Sequence, residues 1–353
     1  MSALHIAQPL HITRRVHRKH PPQGFTLIEL MVAMLLGLVV IAGVISVFLA
    51  NQQVYRTNGA LDEVQNETRI AFELMARDIR DAGLTGCLNS GRVSNVLKNG
   101  PNNSGTTWWA NWNNTLVGFT GTQTDAAAPV GTANTQKVSN TDSIQLIGAE
   151  DSGYSVASDA EPAGTFTLNE KTSDLANGSI VIVCNPDHAA IMQINSYNGG
   201  SGSTITFTHA TSGSPGNCTT DLSYPTVCSS TNSYVYVSNS QIAALSPVDW
   251  YVGYNSVGGN STSLFRTSLQ LSATGVPTPT PVEMVRNVTG MTIKYLQSGG
   301  SDYVSASSIT NWAAVTAVQV ALTVQSTNQR AGTNTAPLTR TFISTTTVRN
   351  RVQ

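Results

Sequence analysis

Beyond residue 24 this chain has only two histidines, His188 and His209, and nowhere an H-E-x-x-H, a C-x-x-C or a phosphate-cradling glycine motif. A Ser-His-Asp or Cys-His arrangement has no local signature. Thr211-Ser212-Gly213-Ser214-Pro215-Gly216 is a Gly/Ser loop with no helical pattern behind it, so it is not a nucleophile elbow. Neither an enzyme nor a bound cofactor is expected, and with so few nitrogen and sulfur ligands no zinc site is expected either. Asp142, Asp151, Asp159 and Asp187 do not fall at calcium-loop spacing and read as solvated loop carboxylates. Charge is scarce: from Leu84 to Gln353 there are eleven Lys/Arg and thirteen Asp/Glu. That stretch shows no basic stripe, which gives no footing for direct nucleic-acid binding. It also shows no internal repeat.

Long apolar runs are equally rare, and the single one present dominates the chain. Leu30 to Ala50 is 21 residues without a charge, close to the roughly 20 that an α-helix needs to cross a bilayer core. A secretory signal has an apolar stretch of only about 7–15 residues and a small-residue cleavage site, and no Ala-x-Ala pattern closes this one. An uncleaved signal anchor is the plain alternative. Residues 1 to 24 hold Arg14, Arg15, Arg18 and Lys19 and no acid, a basic flank that stays in the cytoplasm. Glu29 stands just inside the apolar segment, where a carboxylate costs about 2.5–3.5 kcal/mol and so needs a partner or a function. Its plain reading is a side chain snorkelling to the headgroups.

From Asn51 to Ala82 the chain turns polar but keeps helical spacing, with Leu61, Val64, Ala71, Leu74 or Met75, and Ile79 as an apolar stripe. Asp62, Glu63, Glu67, Arg69, Glu73, Arg77, Asp78, Arg80 and Asp81 form the other face, on which Glu73 and Arg77 make an i,i+4 pair. The pattern predicts one helix over 25–82, roughly 85 Å long at 1.5 Å per residue, with Gly37, Gly43 and Gly59 as points of bending and Gly83 as the stop.

After Gly83 only short alternating, β-branched runs appear. Strands are expected near Ser143–Ile147, Thr165–Leu168, Ser179–Cys184, Ala190–Ile194, Thr204–Thr208, Tyr234–Val237, Asp249–Tyr254, Leu264–Leu271, Met291–Leu296, Ala314–Gln325 and Thr339–Arg349. Gly100–Gly105, Gly121–Asn140 and Ser298–Ser308 read as loops, and Pro277-Thr278-Pro279-Thr280-Pro281 as a stiff connector. The fold class is therefore α+β: a long amino-terminal helix, then a β-rich head large enough for its own core.

Gly24-Phe25-Thr26-Leu27-Ile28-Glu29-Leu30 resembles the processing motif of type IV pilins and of type II secretion pseudopilins. The resemblance implies a cut by prepilin peptidase between Gly24 and Phe25, N-methylation of Phe25, and a role for Glu29 in setting register against the terminal amine of a neighbouring subunit. It also implies an organisation of leader (1–24), transmembrane and fibre-core helix (25–50), amphipathic continuation (51–83) and head (84–353). Ala82 to Cys87, Asn287 to Met291, Val315 to Val324 and Phe342 to Arg351 resemble, more narrowly, the PilW-type minor pilins, a resemblance that does not extend to the stretch between Cys87 and Asp249. A subunit of that kind implies a bacterial inner-membrane precursor with a periplasmic head, then a place at the fibre tip on the cell surface. Its implied partners are the major pilin, other minor pilins, the inner-membrane assembly platform and a tip adhesin. Loss of the leader's basic residues would leave 15 Lys/Arg against 20 Asp/Glu, a formal charge of −5. A minor pseudopilin of type II secretion and a signal-anchored periplasmic binding or hydrolytic protein remain the competing readings.

Cys87, Cys184, Cys218 and Cys228 all fall in the region expected outside the inner membrane, where an even count reads as two disulfides with three connectivities. The pairing adopted is Cys218–Cys228, closing a short loop, with Cys87–Cys184 tying the helix exit to the sheet. Trp108, Trp109 and Trp112 lie in an Asn-rich stretch; they either form a contact patch for a partner or pin the loop onto the sheet.

Overall fold

The computed structural model describes residues 24–87, 91–199, 204–332, 334 and 336–349. The leader expected at 1–24 lies outside these, except for Gly24. The chain divides into two compact units, Met1–Tyr55 and Arg56–Gln353. One helix, α1 (Leu27–Asp81), begins in the first and ends in the second, unbroken at Gly37, Gly43 and Gly59. It stops at Gly83, whose φ of +79° suits a residue without a Cβ. The Gly83 N–H then donates to Ile147 O at 2.8 Å.

Within the second unit the strands are β1 (Val93–Asn95), β2 (Leu116–Phe119), β3 (Ser143–Ala160), β4 (Thr165–Leu168), β5 (Ile180–Cys184), β6 (Ala189–Gln193), β7 (Ser196–Asn198), β8 (Ile205–Thr208), β9 (Gln241–Tyr254), β10 (Thr262–Leu271), β11 (Pro277–Arg286), β12 (Val288–Gln297), β13 (Val304–Ser305), β14 (Val315–Gln325) and β15 (Thr339–Thr347). They form two sheets. The larger runs β1-β6-β5-β9-β3-β4-β8-β7, with β10 and β11 added beside β9 and β2 beside β3; the smaller is β13-β12-β14-β15. The β1–β6 pair is parallel, and every other named pairing is antiparallel.

Alternation explains where the cores sit. In β14, Val318, Val320, Leu322 and Val324 are buried, as are Met291, Ile293 and Tyr295 of β12. They meet Val64, Ala71, Met75 and Ile79 of the helix in one cluster with Leu146, Val248 and Trp250. The helix stripe thus runs through Met75 rather than Leu74, which is only partly buried. Every residue of β5 is buried, because its two faces serve different cores. Val181 and Val183 pack with Val156, Phe166, Met192 and Phe207, while Ile180, Ile182 and Cys184 pack with Leu97, Ile191 and Trp109. Such a continuous apolar run is expected of a strand covered on both sides.

Several expectations need correction. Tyr234–Val237 is not a strand. Tyr236 is buried and Val235 and Val237 are exposed, so the alternation is real, but the Tyr236 N–H goes to the Asp159 carboxylate at 2.8 Å instead of to a ladder. Pro277 to Pro281 opens strand β11, which pairs only with β10. Pro277, Pro279 and Pro281 share one parity opposite Leu271, Leu269 and Thr267; an edge strand can turn every second residue outward, and there proline's missing donor costs nothing. The loop at 298–308 ends in β13 and a short 3-10 turn, and Pro101–Asn103 is a 3-10 turn as well. On the helix, Glu73 reaches back to Arg69 at 3.7 Å rather than forward to Arg77, and Asp78, placed by periodicity on the solvent face, is an internal anchor.

Candidate functional site

At the start of α1, sequence and geometry coincide. Gly24 and Phe25 precede the helix and are exposed, Phe25 at 88%. Thr26 caps the helix. Its N–H and Oγ1 both donate to Glu29 Oε2, at 3.1 and 3.0 Å, and the Glu29 N–H donates back to Thr26 Oγ1 at 3.3 Å. This reciprocal arrangement is a capping box, threonine at the cap and glutamate three residues on. It satisfies helix-end donors that have no partner within the helix, and it sets the carboxylate at the positive end of the helix dipole. Sequence reasoning passed over Thr26, although the T-x-x-E spacing ahead of an apolar run is its signal. Behind the cap, the helix is long and apolar enough to cross a membrane. Its large apolar residues from Leu27 to Leu49 are exposed in the isolated chain.

The later part of α1, within the second unit, is held by polar as well as apolar contacts. Asp78 accepts from Trp250 Nε1 at 2.8 Å and from Arg266 Nε and Nη2 at 2.8 and 3.2 Å; the Asp78 and Arg266 side chains are 16% and 26% exposed. Thr57 Oγ1 donates to Ala331 O at 2.6 Å, and Thr327 Oγ1 donates to Glu63. Glu67, half-buried beside Glu63, has its carboxyl pushed up to about 7, first by burial and then by that neighbouring charge.

Both disulfides form as paired above. Cys87, after the helix exit, is bonded to Cys184 at the end of β5, and Cys218 to Cys228, with Cα–Cα distances of 6.0 and 5.1 Å. Trp109 is buried, and Trp108 and Trp112 are half-buried against the same cluster that holds Cys184 and Leu97, so the tryptophans anchor their segment to the sheet.

Other polar residues among those described are engaged in contacts within the head. His188 has both ring nitrogens engaged, Nδ1 with Asp187 and Nε2 with Leu222 O, each at 2.8 Å, leaving no nitrogen for a nucleophile. Three of the four loop carboxylates expected to be solvated make specific contacts instead, and the Asp151 side chain lies outside what is described. Asp142 accepts from the Gly121 and Ile293 N–H groups and Asp159 from the Tyr236 N–H, each satisfying backbone that burial would otherwise strand, while Asp187 makes a half-exposed pair with Arg92 at 3.0 Å. Lys137 and Asp249 are fully buried. Burial, then the nearby Asp125 charge, holds the Asp249 carboxyl well above its ordinary range, and burial depresses Lys137.

An exposed Gly24-Phe25 pair, a capped apolar helix and a disulfide-bonded β head are the features expected of a pilin-class protein. Two family models match the chain: the prokaryotic N-terminal methylation motif over residues 20–45, and Type IV Pilus-assembly protein W over residues 249–351. One at each end, they support a PilW-type pilin, a structural component of the type IV pilus. The second match takes in β10 to β15, including the Asn287, Val315 and Phe342 stretches; Ala82 to Cys87 falls outside both. No curated protein and no solved structure matches the chain.

Proposed function

We propose that this chain is a minor pilin made as an inner-membrane precursor with leader 1–24, transmembrane segment 25–50, amphipathic continuation 51–83 and periplasmic head 84–353. Prepilin peptidase cuts between Gly24 and Phe25 and methylates Phe25. The assembly platform then extracts the subunit into the fibre, where it joins other minor pilins at the tip, primes growth of the major pilin and helps present an adhesin. Adhesion, twitching motility and DNA uptake would depend on it through the assembled pilus.

The observation carrying this reading is the capped Glu29 at the head of an exposed apolar helix. Its carboxylate is held by short-range contacts within its own chain, and these can be exchanged for a neighbour's terminal amine when the helix leaves lipid. Export through type II secretion is the second reading; the match to a pilus-assembly family favours the pilus. The test is immunodetection of the subunit in sheared fibres from cells carrying Glu29→Ala. Cleaved but unincorporated protein is expected, and normal incorporation would contradict the register role.

A further inference from the structure

β3 ends at Ala160, the chain turns through Glu161 into β4, and His209 follows the end of β8. The register brings these ends together, since Thr165 of β4 pairs with both Ala160 and Thr208. One carboxylate oxygen from Asp159, one from Glu161 and one ring nitrogen of His209 all lie within 4.8 Å of one another. His209 Nε2 is 3.0 Å from Glu161 Oε1, and the two side chains are 0% and 1% exposed. Glu161 Oε2, His209 Nδ1 and Asp159 Oδ1 are nonetheless buried without a hydrogen-bond partner. Their carriers are fixed from outside: Asp159 Oδ2 by the Tyr236 N–H at 2.8 Å, and the His209 backbone by Gly164 O at 2.9 Å. Phe166 packs against the imidazole at 5.4 Å.

Two carboxylates closing on one imidazole, with three buried polar atoms left over, is a costly arrangement for a bare protein. We propose that Asp159, Glu161 and His209 bind one divalent transition-metal ion of the zinc type, clamping the β3–β4 turn to the exit of β8. The donor set argues for the class. Imidazole nitrogen with carboxylate oxygen suits zinc and its neighbours, whereas calcium takes six to eight oxygens. Ligand atoms about 2.0–2.2 Å from a tetrahedral ion sit about 3.3–3.6 Å from one another, so separations of 3.0 to 4.8 Å close on an ion with side-chain shifts of about an ångström. Water supplies the fourth position.

The test uses the full chain in detergent micelles, stripped with a chelator and dialysed against zinc, with bound metal measured by mass spectrometry. The leader carries four histidines of its own, so the readout is the difference between wild type and Asp159→Asn, whose amide oxygen can still accept from Tyr236. About one zinc fewer per chain in the variant, with zinc raising the melting temperature of the wild type only and excess calcium not competing, is the expected result. Equal zinc content in two proteins with the same circular dichroism overturns the proposal. If Asp159→Asn does not fold, His209→Gln takes its place under the same criterion, and loss of zinc binding from the wild type on adding equimolar calcium overturns it independently.

Discussion

Thr26 and Glu29 satisfy each other across one turn of helix: two donors of the threonine meet one carboxylate oxygen, and the glutamate N–H returns to the threonine hydroxyl. The acidic residue that looks misplaced in the sequence is therefore part of the helix cap. A charge near hydrocarbon is tolerated because its partners are built in.

This separates two roles that one residue could confuse. Thr26→Ala removes the cap at a cost of about 1 kcal/mol to the helix start and should leave incorporation into fibres at least half of wild type. Glu29→Ala removes the partner for a neighbouring amine and should abolish most of it. Immunoblots of sheared fibres compare the two; equal loss in both variants would mean that capping alone explains Glu29.

Asp78 anchors the amphipathic part of the helix to β9 and β10 through Trp250 and Arg266. Asp78→Ala leaves a partly buried guanidinium and an indole N–H without their acceptor. A loss of roughly 2–4 kcal/mol is expected, read as a lower denaturation midpoint. A midpoint unchanged from wild type would assign the helix docking to apolar contacts alone.

The disulfides should differ in worth. Cys87 and Cys184 are 97 residues apart and Cys218 and Cys228 only 10, so loop-closure entropy predicts about 4.7 kcal/mol for the first and about 2.7 kcal/mol for the second. Paired Cys→Ser replacements followed by urea unfolding should rank them in that order, and the reverse ranking would place native-state packing ahead of loop entropy.

Glu67 makes stability fall with pH. Its carboxyl is raised to about 7 in the folded chain against 4.5 when unperturbed, so the folded state binds more protons than the unfolded state between those values. Its contribution is most favourable below the lower value and is lost as pH rises through the higher one. Glu67→Gln should flatten the change in melting temperature between about pH 5 and pH 8. Because the group is half-exposed, the flattening should be modest, about 1 kcal/mol after solvent screening. An identical slope in the variant would rule out Glu67 as a source.

The features legible in sequence were those written in local order. The apolar run, the helix stop at Gly83 and strands such as Thr165–Leu168 each follow from residues adjacent in the chain. Spacing was also enough to suggest both disulfide pairings. What escaped depends on which strand lies next to which. The edge position of β11 permits its prolines, and nothing within Pro277 to Pro281 announces that edge. Asp78 reads as a surface residue until β9 and β10 bring Trp250 and Arg266 to it. Asp159, Glu161 and His209 come together only through the β3–β4–β8 register, with His209 48 residues beyond Glu161. Thr26 is the exception, a local signal that was present and passed over.

Processing of the chain as a pilin would leave its mark at the amino terminus of the protein recovered from native fibres. Mass spectrometry should find a chain that begins at Phe25 and carries one added methyl group on its terminal nitrogen. An intact Met1, or a cut beyond Ala50, would contradict it.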